Sequence, residues 1–261
     1  MPVQATTPLP LDLTGLRVAI TAGAGGIGRV MADSFAFCGA RPFVSDLDET
    51  ALAACGHPGM RADATRLADL DRFMEEAARR LGGLDVLVNN AGIAGPTKPV
   101  EQVTPEELDG VLQADLASMF HCARHAIPML RAAGGGSIVN LSSAAGKFGF
   151  PLRSPYSAAK WGVVGFTRSL AMEVGSDRIR VNAILPGLVD GPRIRSVLRN
   201  KAQAKGVGEN EETASALERV NLRCFVGQQD IANMALYLCS PFGATISGQA
   251  MSVDGGMEGL Q

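Results

Sequence analysis

Tyr156 and Lys160 stand four residues apart in the run Tyr-Ser-Ala-Ala-Lys. On a helix that spacing puts both side chains on one face. An isolated phenol titrates at about 10 and is a poor base at neutral pH, but an ammonium beside it favours the phenolate. The pair is therefore suited to moving a proton on and off an alcohol or carbonyl oxygen. Ser143, 13 residues upstream, brings a hydroxyl. Such a group can hold the same oxygen through a hydrogen bond.

A second constellation lies near the N-terminus. The segment Thr21-Ala-Gly23-Ala-Gly-Gly26-Ile27-Gly28 follows an apolar run and opens a helical pattern. Glycines there let the backbone turn tightly and approach a pyrophosphate, whose charge the free N–H groups of a helix N-terminus stabilise. Asp46 ends the next apolar run, 18 residues after Gly28. An acid at about that distance accepts hydrogen bonds from the adenine ribose diol and repels an added 2′-phosphate. Leu47 follows it, and no arginine replaces a glycine of the turn. NAD is thus expected over NADP. The plainer alternative for Asp46 is a surface acid that caps a helix.

These residues need elements to position them. Arg17–Ala22, Pro42–Asp46, Leu84–Asn89, Ser137–Ser142 and Ile179–Leu185 read as short buried strands, and Ile27–Phe37 and Pro155–Val174 as helices. Thr104–Ala133 reads as one long helix, opened by Thr-Pro-Glu-Glu, an N-cap followed by proline at the first helical position. Alternating strands and helices imply right-handed βαβ units and a parallel sheet covered on both faces. The expected organisation is a flexible tail over residues 1–14 and one domain over 15–261. A polar helical segment at about 191–220 sits where a lid would.

Composition narrows the class. Hydrophobic residues make up 46% of 261, enough for a large core, and 24 basic against 26 acidic residues give a net charge of -2. That balance, with no basic run, argues against nucleic acid as partner. Five scattered cysteines form no C-x-x-C pair, so neither a disulfide framework nor a metal site is expected, and a reducing cytoplasm is. No basic-then-apolar leader opens the sequence and no apolar run reaches membrane-spanning length.

With TAGAGGIG (21–28), NNAG (89–92), the Ser143–Tyr156–Lys160 set and Pro186-Gly187, the sequence resembles the short, single-domain branch of the short-chain dehydrogenase/reductase family from about Leu16 to Gly256. The resemblance implies a three-layer α/β/α, Rossmann-type doubly wound sheet. It implies Ser143 rather than Ser142 as the catalytic serine, and a Lys160 that also holds the nicotinamide ribose. Asp63 and Ala64 match residues flanking adenine. Asn90, Ala91 and Gly92 match the segment beside the adenosine ribose; Pro186, Gly187 and Val189 match the segment at nicotinamide. A homotetramer is implied, with a dimer as the smaller alternative.

Three positions depart from the family pattern. Ala22 stands where glycine is usual, which is tolerable only if its backbone avoids positive φ. Asp115 takes the slot of the fourth catalytic member, an asparagine; an ionised carboxylate only accepts hydrogen bonds. It is expected to support the relay water, mainly through its backbone. Gly191 replaces a threonine that bonds the nicotinamide carboxamide.

Hydride transfer requires a secondary alcohol, hemiacetal or ketone as substrate. Arg153 and Arg193 lie beside the inferred site, and arginines recognise anions. A sugar, polyol or sugar-acid-like substrate, with an anionic group, is the leading reading. The alternatives are a 3-oxoacyl-thioester or general carbonyl reductase and a non-catalytic dinucleotide sensor.

Overall fold

The computed structural model describes residues 7–260, and in it seven short strands pair into one parallel sheet. In chain order the strands are β1 (Arg17–Ile20), β2 (Arg41–Asp46), β3 (Gly59–Arg61), β4 (Val86–Asn89), β5 (Gly136–Leu141), β6 (Ile179–Pro186) and β7 (Ala250–Val253). In space they run β3-β2-β1-β4-β5-β6-β7. The order reverses between β1 and β4, where a crevice opens beyond the carboxyl ends of the strands. The helices are α1 (Gly26–Phe37), α2 (Glu49–Ala54), α3 (Leu67–Leu81), α4 (Pro105–Leu112), α5 (Ser118–Ala132), α6 (Ser154–Val174), α7 (Pro192–Lys205), α8 (Glu209–Leu217) and α9 (Gln228–Cys239).

Successive strand residues point to opposite faces, and both faces are apolar here. Val18, Ile20, Val86, Val88 and Val139 pack with Met31 and Phe35 of α1 and Ile231 and Leu236 of α9. Ala19, Leu87, Ile138 and Val181 pack on the other side with Phe73 and Met74 of α3, Leu130 of α5 and Leu170 of α6. This is why the strands read as continuous apolar runs rather than alternating ones. The sheet is thereby sandwiched, and its loops at one end are free to form a site.

The long fourth helix differs from a single regular one. Its start is a capping box: Thr104 Oγ1 accepts from the Glu107 N–H at 3.3 Å and Glu107 Oε2 from the Thr104 N–H at 2.9 Å. Between α4 and α5, however, Gln113–Ala117 forms a π-helical turn. Such a turn adds a residue to the helical repeat and re-aims the side chains around it. Asp115 sits in its middle.

The flexible tail expected over residues 1–14 needs correction for its described part. Leu13 is buried, and its N–H donates to the Cys38 carbonyl at 2.8 Å. The Leu9 N–H donates to Asn233 Oδ1 at 2.8 Å, and the Leu9 carbonyl accepts from Cys38 Sγ at 3.3 Å. Leu9, Leu11 and Leu13 join the core beneath α1 and α9, so apolar burial holds the segment down. Residues 1–6 of that tail lie outside the described residues. Among the described residues no helix is long and apolar enough to cross a membrane.

Candidate active site

The glycine turn is held by the segment that follows β4. Thr21 Oγ1 accepts from the N–H groups of Asn90 (3.0 Å) and Ala91 (2.9 Å), and Asn90 Nδ2 donates to the carbonyls of Thr21 (3.1 Å) and Ala22 (2.9 Å). These bonds fix Ala22 at φ +50°, the conformation in which alanine was expected to be intolerable. The Asn90 clamp on its carbonyl holds that strain in place. A Cβ on Gly28 would lie 2.1 Å from the Ala22 carbonyl and 2.5 Å from Asn90 Nδ2. Gly28 therefore serves close packing of α1 on the turn. Gly23 does likewise against Val44, which an added Cβ would meet at 2.7 Å.

Gly26, at φ +51°, has open space where a Cβ would be, and the first turn of α1 carries neither a side-chain cap nor an acid. Uncapped N–H groups facing open space fit a dinucleotide pyrophosphate. Asp46 stands beside them. Its Oδ2 accepts from the Ala24 N–H at 3.0 Å and its Oδ1 from the Asp48 N–H at 3.2 Å, and it stays partly exposed at the cavity.

Ser143 follows β5, with Oγ accepting from the Ala145 N–H at 3.1 Å. Its neighbour Ser142 donates to the Lys160 carbonyl at 2.8 Å, which leaves the Ser143 hydroxyl proton the less committed of the two. Along α6, Lys160 Nζ lies 5.6 Å from the Tyr156 ring centre and donates to the Leu141 carbonyl at 3.0 Å. Tyr156 itself has no hydrogen-bond partner for its hydroxyl among the described residues. Asp115 departs from the expectation that its backbone would matter most. Its side chain is wholly buried: Oδ1 accepts from the Ile93 N–H at 2.6 Å and Oδ2 lies 3.3 Å from Lys160 Nζ. The π-turn delivers the carboxylate, and Gly92 leaves room for it, since a Cβ there would come within 3.1 Å of Oδ1.

A cavity of about 330 Å³ joins these parts. Gly26, Ile27, Asp46, Asn90 and Gly92 line its cofactor-like end, and Ser143, Tyr156, Lys160, Arg153 and Arg193 line the other. Pro186, Gly187 and Val189 also line it. Gly23, Gly28, Leu47, Asp63, Ala64 and Ala91 are not among its walls. Leu47 is exposed, and Asp63 Oδ1 is engaged by the N–H and hydroxyl of Thr65. The segment expected as a lid, about 191–220, holds α7 and α8. Arg195 and Arg199 on it pair with Asp190 (2.8 Å) and Glu209 (2.9 Å) on the solvent side, whereas Arg193 Nη1 donates to the Gly92 carbonyl at 3.0 Å.

Sequence reasoning assigned no role to Thr21, Gln228 or Leu260. Thr21 lay inside the glycine motif, but its role as a strand-to-strand anchor depends on pairing. Gln228 and Leu260 reach the cavity from distant segments, which no local pattern signals. Gly191 adopts φ +155° with ψ 177°, a glycine-only conformation, and a Cβ there would meet Gln228 Nε2 at 3.1 Å. A threonine would not fit this backbone.

Comparison with known proteins agrees with this geometry. A family model described as enoyl-(acyl carrier protein) reductase matches residues 22–258. The chain belongs to the short-chain dehydrogenase/reductase family, whose members are oxidoreductases that use a nicotinamide dinucleotide. It is 34% identical over 252 residues to a D-beta-hydroxybutyrate dehydrogenase of Rhizobium meliloti (strain 1021), covering 91% of this chain and 96% of that protein. It is 35% identical over 256 residues to a probable galactose dehydrogenase of the same organism, covering 94% and 96%. The crystal structure of levodione reductase superposes with a TM-score of 0.87 at 29% identity, covering 93% of this chain and 97% of that one.

Proposed function

We propose that the protein is an NAD-dependent dehydrogenase that interconverts a secondary alcohol or hemiacetal and its carbonyl, acting on a sugar, polyol or sugar-acid-like substrate. The observation that carries this reading is Tyr156. It lines the cavity beside Lys160, and its hydroxyl has no hydrogen-bond partner among the described residues and so is available to a substrate. Ser143 Oγ donates to the substrate oxygen and holds it, and Tyr156 takes the hydroxyl proton as the carbonyl forms. Lys160 supplies the positive charge beside the phenol, and the Leu141 carbonyl and Asp115 fix its position. Bound nicotinamide supplies the hydride acceptor.

For the cofactor, Gly26 and Ile27 serve the pyrophosphate and Asp46, with Leu47, the adenosine ribose. Asp63 and Ala64 serve adenine, Asn90, Ala91 and Gly92 the adjoining backbone face, and Pro186, Gly187 and Val189 nicotinamide. The Asp46 carboxylate favours a ribose diol over a 2′-phosphate, which supports NAD. The two relatives, a hydroxybutyrate and a galactose dehydrogenase, bracket a small polar alcohol. Exposed Phe120 and Trp161, with Phe120 and Phe166 ring centres 3.9 Å apart on α5 and α6, support self-association as a homotetramer through that face. Five unpaired cysteines support a reducing, cytoplasmic compartment.

The test is a screen for NADH formation over sugars, polyols and hydroxy acids, run in parallel with NAD and NADP. We expect turnover with NAD on at least one small polar alcohol. A protein that reduces 3-oxoacyl thioesters with NADPH and oxidises none of the alcohols would overturn the reading in favour of a reductase. Dinucleotide binding with no turnover in either direction would leave a sensor.

A further inference from the structure

Arg153 is the most unusual residue of the cavity. It occupies the N-cap of α6, three residues before Tyr156, and is only 2% exposed. Its Nη2 donates to the Ala94 carbonyl. Its Nε and Nη1 are buried with no acceptor among the described residues. The guanidinium carbon lies 5.0 Å from the Phe150 ring centre and 4.8 Å from that of Tyr156, so two aromatic faces flank the charge.

A buried cation without an anionic partner is costly. Burial drives this guanidinium below the ordinary arginine range and Arg193 adds to that; Tyr156 and Asp115 act the other way. The neighbourhood does not compensate it. Arg153, Lys160 and Arg193 all lie within 6 Å of the Tyr156 ring centre (4.8, 5.6 and 5.9 Å). The one carboxylate among them, Asp115, is held against Lys160. Neither arginine has a carboxylate partner among the described residues. Of the other acids at the cavity, Asp190 is paired with Arg195 and Asp46 lies at the cofactor-like end.

We infer that Arg153 reads a carboxylate on the substrate, so that the reacting alcohol belongs to a short hydroxy acid whose acid group lies a few bonds from the carbinol. This rests on the dehydrogenase reading above and selects within it. Buried N–H groups without acceptors discriminate strongly, because any substrate lacking the matching group leaves them unpaired. A planar, singly charged carboxylate offers two acceptor oxygens to a planar guanidinium, the forked match that arginine makes. Closeness to Tyr156 sets the length of the substrate: acid and carbinol must be reached together.

The experiment compares 2-, 3- and 4-hydroxybutanoate and 4-hydroxycyclohexanecarboxylate, each with its uncharged amide, in wild type, Arg153→Gln and Arg153→Lys. In wild type, kcat/KM for the best acid should exceed that of its amide about 10- to 100-fold, the effect of a hydrogen bond to a charged group. Arg153→Gln should erase most of that ratio through KM, and Arg153→Lys should restore part of it. As a readout independent of turnover, butanoate should raise the Tm of the NAD-loaded wild type but not of Arg153→Gln, and butanamide should raise neither. Equal use of acid and amide by wild type, or oxidation of neutral sugars alone, overturns the carboxylate reading and leaves the dehydrogenase standing. An Arg153→Gln variant that lowers kcat for both members of a pair, at an unchanged ratio, assigns Arg153 to Tyr156 instead and also overturns it. If no alcohol of any kind yields NADH, the dehydrogenase reading falls, and the Tm shift alone then decides whether a carboxylate binds.

Discussion

Asp115 Oδ2 lies 3.3 Å from Lys160 Nζ, and both side chains are sealed from solvent. The opposite oxygen of the same carboxylate takes the Ile93 N–H. The acid thus ties the loop after β4 to the lysine that stands beside Tyr156. An asparagine could keep the bond to Ile93 but would direct a second donor at an ammonium.

Removing this carboxylate should therefore cost more than removing its charge. Asp115→Ala leaves Lys160 buried and unpaired, an expected loss of about 3–5 kcal/mol. Asp115→Asn keeps one acceptor and should lose about 1–2 kcal/mol. Urea unfolding without cofactor measures both, and an asparagine variant as stable as wild type would show that the ion pair contributes nothing.

Tyr156→Phe should separate chemistry from stability. Because the hydroxyl has no hydrogen-bond partner among the described residues, Tm should stay within about a degree, while kcat falls about 100- to 10,000-fold, the span of a general acid–base contribution. Lys160→Met should lose both, since it also strands Asp115. Calorimetry alongside steady-state rates distinguishes the two variants.

The strained turn offers a gain. Ala22 is held at φ +50°, where a Cβ costs about 1 kcal/mol. Ala22→Gly should raise Tm by about 2 °C, the greater freedom of glycine in the unfolded chain limiting the gain. A lower Tm would mean that the methyl group packs to advantage.

Cofactor choice is tested at Asp46. Asp46→Ala should lower kcat/KM for NAD about tenfold, as a charged hydrogen-bond acceptor is lost, and should raise that for NADP. An unchanged NAD to NADP ratio would place the selectivity elsewhere.

Alkali should weaken the fold through two thiols. Burial pushes Cys122 up to about 12 and Cys239 up to about 11, from 9.0. A raised pKa means that the native state keeps the proton while the unfolded chain releases it. Their contribution is therefore intact below pH 9 and lost progressively from there toward 12. Unfolding free energy should decline over that range, and at pH 8.5 alkylation of the folded protein should spare both residues.

The layout of the sheet was legible because a parallel sheet buried on both faces leaves uninterrupted apolar runs such as Val18–Ile20 and Val86–Val88. The Tyr156–Lys160 pair was legible because helical spacing alone puts both on one face. The π-turn was not, since a one-residue slip in hydrogen bonding leaves the apolar pattern around Asp115 almost unchanged. Nor was the burial of Arg153: a charged side chain reads as surface until Phe150 and Tyr156 are seen to enclose it. Leu9, Leu11 and Leu13 read as tail because proline breaks their period, yet a strap needs no period to be held.

That strap has a consequence for the order in which the molecule is assembled. Leu9 is synthesised 224 residues before Asn233, the side chain that receives its N–H. On the ribosome, at about 5–20 residues per second, the segment waits some ten seconds or more for its partner. The strands can pair outward from β1 in the meantime, but the latch at Leu9 closes only after α9 has emerged. A segment made before the first strand is thus fixed only after the last α-helix.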